Sequence, residues 1–155
     1  MDFSISVDID APPERVWAVM GDVEKWHEWT ASVTSVRLTD RGPLKVGSRA
    51  WIRQPKFPPA MWTVTAVGES SFTWVSRAPG LLVTARHFVV PAGTASRATL
   101  SLNFAGFLGP LFGRLTSGLN NRYLAMEAAG LRRRSEERSK RRRRPPPDRS
   151  RRRKI

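Results

Sequence analysis

The sequence predicts an α+β fold in which seven antiparallel strands grip one long C-terminal helix. Three observations point there. Residues 3–9 alternate apolar and polar side chains. Six strand-like stretches separated by turn signals fill residues 33–104. Residues 106–131 then carry apolar side chains at three- and four-residue spacing.

Phe3, Ile5, Val7 and Ile9 alternate with Ser4, Ser6 and Asp8, the pattern of a strand with one buried face. Ala11-Pro12-Pro13-Glu14 opens a short helix, because proline loses nothing in a first helical turn and an acidic group suits the N-terminal end. Val16, Trp17 and Met20 give it an apolar side, and Gly21 ends it. Asp22 is placed to cap a second short helix in which Trp26 and Trp29 lie three apart.

Strands are expected over residues 33–40, 47–54, 61–69, 71–78, 81–90 and 96–104. Gly42-Pro43, Pro58-Pro59, Gly68-Glu69-Ser70, Pro79-Gly80 and Pro91-Ala92-Gly93 punctuate them. Turns recurring every ten residues or so favour antiparallel meander connections over crossover helices. Parity puts Ala98, Leu100, Leu102 and Phe104 on the inner face, with Trp62, Val64 and Ala66, and with Val83, Ala85, His87 and Val89. Phe72, Trp74 and Ser76 join them, as do Ala50 and Ile52, leaving Arg49, Trp51 and Arg53 outside.

The closing stretch, Gly106 to Leu131, reads as one helix with Pro110 at its first position. Leu108, Leu111, Phe112, Leu115, Leu119, Tyr123 and Met126 form its apolar stripe, which needs a partner surface. The sheet is that surface, with space for a ligand between the two.

Charge divides the chain into a domain, residues 1–131, and a tail, residues 132–155. The first holds 13 Lys+Arg against 10 Asp+Glu, and the second 14 against 3. The overall charge of +14 therefore describes the tail. With no cysteine, disulfides and thiol chemistry are excluded. With two histidines and no metal-ligating cluster of His, Asp and Glu in the sequence, no metal and no cofactor is expected. The first ten residues do not have the make-up of a signal peptide, and no apolar run reaches bilayer length, so a cytoplasmic protein is expected.

The run IDAPPERVWAVMGDVEKWHEW, followed by VGSRAWI and the late HFVVP, resembles the SRPBCC superfamily, in particular its START-like, polyketide cyclase/dehydrase-type members. The resemblance spans roughly residues 3–131. It implies a helix-grip fold, with a curved seven-stranded antiparallel sheet around the C-terminal helix and two short helices between the first and second strands. It also implies a deep cavity for a lipid, polyketide or aromatic compound.

Candidate ligand-binding residues are Trp62, Trp74, His87, Phe104, Leu115, Leu119 and Tyr123. His87 and Tyr123 are the candidates for moving protons, should the protein be an enzyme of the polyketide cyclase/dehydrase type. Each has a plainer reading. His87 also suits a packed core, Tyr123 also suits a helix anchor, and the tryptophans also suit sheet packing. Arg77 and Arg86 read as solvent-facing, and His27 as solvated. The proline-rich stretch 55–60, with Phe57, is expected as a stiff loop that could rim the cavity mouth.

In the tail, Arg132–Glu136, Arg133–Glu137, Glu136–Lys140 and Glu137–Arg141 are spaced to extend the helix toward Arg144, before three prolines stop it. The stretch from Arg132 to Lys154 has the charge for weak, salt-dependent contact with nucleic acid or an anionic membrane.

Overall fold

The computed structural model describes residues 1–143. Seven strands form one antiparallel sheet: β1 (Asp2–Ile9), β2 (Ser35–Leu38), β3 (Arg49–Gln54), β4 (Phe57–Gly68), β5 (Ser71–Ala78), β6 (Leu81–Ala92) and β7 (Ala95–Ala105). Their order is β1-β7-β6-β5-β4-β3-β2. All neighbours except β1 and β7 are sequential hairpins. Between β1 and β2 lie helix α1 (Pro13–Met20) and a 3₁₀ helix (Val23–Glu28). Two helices close the described chain, α2 (Gly109–Leu115) and α3 (Ser117–Arg143). This is the helix-grip architecture.

The sheet's concave face carries the core. Ala98, Leu100 and Phe104 of β7, Ala85 and Val89 of β6, Phe72 and Trp74 of β5, and Val64 of β4 are all buried. α3 packs on β1, β7 and α1, while the 3₁₀ helix covers β2. Trp26 is anchored there by its indole N–H, which donates to the Met20 carbonyl at 2.9 Å. A buried indole needs such a partner.

The structure departs from the sequence reading in four places. Residues 55–60 are not a loop, since Gln54 pairs with Phe57 and only Pro55-Lys56 forms the turn. Ala66 faces solvent, because the β4–β5 register slips between Val64 and Ala66 and reverses the parity beyond it. Asp22 makes no side-chain cap and instead pairs with Lys25 at 3.1 Å.

The last departure concerns the C-terminal helix, which is two helices rather than one. The Thr116 hydroxyl donates back to the Phe112 carbonyl at 2.8 Å and accepts from Asn120 Nδ2 at 2.9 Å. The backbone bonds from Thr116 N–H to the Phe112 carbonyl at 3.0 Å and from Asn120 N–H to the Thr116 carbonyl at 2.9 Å persist, while Thr116 itself leaves helical geometry at φ −102°, ψ 7°. The break turns the leucines of the expected stripe that precede it out of the core. Phe107, Leu108, Leu111 and Leu115 are exposed, Leu115 to 76 %. The buried face of α3 runs instead through Asn120, Tyr123, Leu124, Glu127, Ala128, Leu131 and Ser135.

α3 lies tightly on the segment after the 3₁₀ helix. A Cβ on Gly130 would run into the Trp29 carbonyl oxygen. Arg133 Nη2 donates to that same oxygen at 3.0 Å. Glu136 accepts from the Asp10 backbone N–H at 3.1 Å and pairs with Arg132 at 3.2 Å, the one tail pair expected from spacing that forms among the described residues. No helix of the described residues is long and apolar enough to cross a membrane. The expectations for Arg144 through Lys154 lie outside the described residues.

Candidate functional site

A cavity of about 530 Å³ lies between the sheet and α3. Its walls are strand positions of one parity on β4, β5 and β6 (Trp62, Trp74, Val83, Ala85 and His87), closed by Phe104 of β7. Phe112 of α2 and Tyr123, Leu124 and Glu127 of α3 complete it, with Trp26 reaching in from the 3₁₀ helix. The surface is mainly apolar, with a few polar groups, as ligand cavities generally are.

The aromatic rings form two clusters. Trp74 lies 5.7 Å from Trp62 and 5.5 Å from Trp26, centroid to centroid. At the other side Phe57 meets the Tyr123 ring edge-on at 6.0 Å and the Phe112 ring at 6.3 Å. Phe57 reaches the cavity from the start of β4, where the proline-rich stretch extends the strand.

Of the residues expected at the site, Trp62, Trp74, His87, Phe104 and Tyr123 come together on this wall. Leu115 and Leu119 do not. The break at Thr116 turns Leu115 to solvent, and Leu119 is half-buried away from the cavity. Arg77 is exposed at the rim, Arg86 faces solvent, and His27 is exposed.

His87 is 4 % exposed. Its imidazole stacks on Phe72 at 4.5 Å with an interplanar angle of 8°, and Trp74 stands edge-on to it at 5.9 Å. Nδ1 has no hydrogen-bond partner among the described residues. Burial pushes its pKa down to about 3, so the ring is neutral at pH 7 and does not titrate there.

Glu127 was not among the residues singled out from sequence. Its side chain lines the same cavity, and the residue is 9 % exposed. Ser32 Oγ donates to its Oε1 at 3.0 Å, and the Thr30 hydroxyl lies 2.9 Å from Ser32 Oγ. Burial pushes the carboxyl up to about 7, with the Ser32 hydrogen bond opposing part of the rise. No Lys or Arg pairs with it among the described residues. The sequence did carry a signal. Glu127 is the only acidic residue between Glu69 and Glu136, and Tyr123, Leu124, Gly130 and Leu131 occupy its helical neighbours. A solvated helical glutamate ordinarily has polar company on that face.

The fold and the half-open, largely apolar cavity define a ligand-binding helix-grip protein of the SRPBCC type. More particularly, residues 1–136 match the family described as "Polyketide cyclase / dehydrase and lipid transport", and the chain belongs to that family. We found no matching relative among curated proteins.

Solved structures share the fold at low identity. A Thermus thermophilus protein superposes with a TM-score of 0.71 at 20% identity, over 90% of this chain and 99% of its own. The Zhui aromatase/cyclase from a Streptomyces species gives 0.73 at 12%, over 90% and 95%. A point mutant of norcoclaurine synthase from Thalictrum flavum, in complex with a transition-state analogue, gives 0.71 at 15%, over 90% and 96%.

Proposed function

We propose that the protein binds an apolar, ring-containing small molecule in the cavity between the sheet and α3. The observation that carries this reading is the pair of aromatic clusters, Trp26, Trp62 and Trp74 on one and Phe57, Phe112 and Tyr123 on the other, that line the same cavity of about 530 Å³. That volume suits a molecule of two to four fused rings or a lipid chain of similar bulk. Its walls supply flat, apolar contact with few hydrogen-bonding positions.

The test is intrinsic tryptophan fluorescence of the full chain, titrated with fatty acids, sterols, flavonoids and polycyclic aromatics at 0.5 M salt. High salt suppresses contacts through the basic segment. Saturable quenching that is lost in Trp62→Leu supports the reading, and silence across the panel overturns it.

A second reading, an enzyme of the polyketide cyclase/dehydrase type, is favoured by Glu127. A carboxyl pushed up to about 7 suits proton transfer near neutral pH. Here Glu127 would take the α-proton of a β-hydroxy ketone and pass that same proton to the departing β-hydroxyl, which leaves as water as the carbon–carbon double bond forms. Single-turnover dehydration of such a substrate, slowed at least a hundredfold in Glu127→Gln with binding retained, would support it. No turnover would exclude it.

The reading also takes the protein as cytoplasmic, with which its cysteine-free composition is compatible. The basic segment from Arg132 to Lys154 is proposed as a weak contact for nucleic acid or anionic membrane on its charge alone.

A further inference from the structure

We propose that Glu127 is the polar anchor of the cavity, and that the molecule it receives carries a protonated amine at the end facing this carboxyl. The inference rests on the cavity being a binding site.

Four features carry it. The first is that the carboxyl is buried without a cation: its hydrogen-bond donor is a neutral serine, and no Lys or Arg pairs with it among the described residues. A buried carboxylate without an opposite charge is costly, and a bound ammonium group would supply that charge. The second is that the donor is itself held. The Thr30 hydroxyl lies 2.9 Å from Ser32 Oγ, and the Ser32 backbone N–H donates to Thr30 Oγ1 at 3.3 Å, so the carboxyl is oriented before any ligand arrives.

The third feature is the aromatic wall. Trp26, Trp62, Trp74, Phe57 and Tyr123 line the same space, and aromatic ring faces attract cations. The last is the nature of the cavity's other ionisable groups. His87 is a neutral ring and Arg77 is exposed at the rim, so among the described residues the interior has no cation of its own for Glu127. The carboxyl's position near 7 agrees with this, since it is readily ionised once a cation arrives.

The probes share one skeleton: 2-(2-naphthyl)ethylamine, 2-(2-naphthyl)ethanol and 3-(2-naphthyl)propanoic acid. Each is titrated into the full chain at pH 8 and 0.5 M salt. The expected order is amine tightest, by at least tenfold over the alcohol, with the acid weakest. In Glu127→Gln the amine falls to the alcohol's affinity, and the alcohol changes by less than twofold. A second measurement needs no variant. Amine affinity of the parent protein rises between pH 6 and pH 8, as Glu127 ionises, while that of the alcohol stays flat.

An alcohol equal to the amine, an acid that binds tightest, or an amine that fails to bind overturns the anchor. If other compounds of the panel still quench tryptophan in any of those cases, the cavity reading stands without it. If nothing binds, both fall.

Discussion

Ser32 Oγ donates to Oε1 of Glu127 at 3.0 Å, joining positions 95 residues apart behind the cavity wall that Glu127 lines. The bond ties the segment after the 3₁₀ helix to the middle of α3, and it fixes a carboxyl that the surrounding apolar groups hold near neutrality.

Two buried groups give stability a characteristic pH dependence. Glu127 moves from its ordinary 4.5 up to about 7 on folding, so the unfolded chain ionises first. Its contribution is complete below about 4.5 and is lost as pH rises to about 7. His87 moves from 6.5 down to about 3, so its contribution is complete above 6.5 and is lost as pH falls toward 3. From 4.5 to 6.5 the two slopes oppose each other. Glu127→Gln therefore unmasks the histidine: stability should fall with acid across that window by up to roughly 1.4 kcal/mol per pH unit. At pH 8 the variant should exceed the parent by roughly 1–3 kcal/mol. Urea unfolding at half-unit pH steps reads this directly, and a variant as flat as its parent sinks the argument.

Trp74 and Trp62 touch each other but have different jobs in the fold. Trp74 is buried against Phe72, Trp26 and His87, whereas Trp62 is only half-buried. Trp74→Leu should cost about 3 kcal/mol, and Trp62→Leu about 1 kcal/mol. Denaturant midpoints compare them, and equal losses would mean that Trp62 belongs to the packed core rather than to a cavity wall.

Gly130→Ala should destabilise by roughly 2–3 kcal/mol, although alanine favours a helix by about 1 kcal/mol over glycine. The added methyl has nowhere to go but the Trp29 carbonyl, whose place is also fixed by Arg133. Gly118, on the same helix, has open space around it, and Gly118→Ala should be neutral or stabilising. Thermal melts of the two variants side by side provide the contrast. A Gly130→Ala protein as stable as Gly118→Ala would show that α3 can lift freely.

Leu115→Gln should change stability by less than about 0.5 kcal/mol, because the side chain lies in solvent. A loss above 2 kcal/mol would restore it to the core, where helical periodicity had put it.

That leucine shows where sequence reading stops. Hairpin order and strand parity depend on nearest neighbours, so the wall positions of β5 and β6 were legible residue by residue. Trp74, Ala85 and His87 all follow from alternation alone. Ala66 did not, because a register slip leaves no mark in the hydropathy pattern. The C-terminal stripe failed for a related reason. A local departure from helical geometry at Thr116 divides the helix, and of the expected stripe upstream of it Leu108, Leu111 and Leu115 turn to solvent while Phe112 keeps its inward facing. Glu127 was legible in principle as the lone acid on an apolar face. Its partner Ser32 was not, since nothing local links the two.

Gly130 is three residues along α3 from Glu127, and the backbone it presses on is the start of the same four-residue segment that carries Ser32. The helix and that segment therefore meet at a spacing set by a side chain that is only a hydrogen atom. Widening that seam would deepen the cavity and stretch the Ser32–Glu127 bond in one movement. The room available to a guest and the acidity of the group that greets it are thus tuned together, from a position that does not line the cavity.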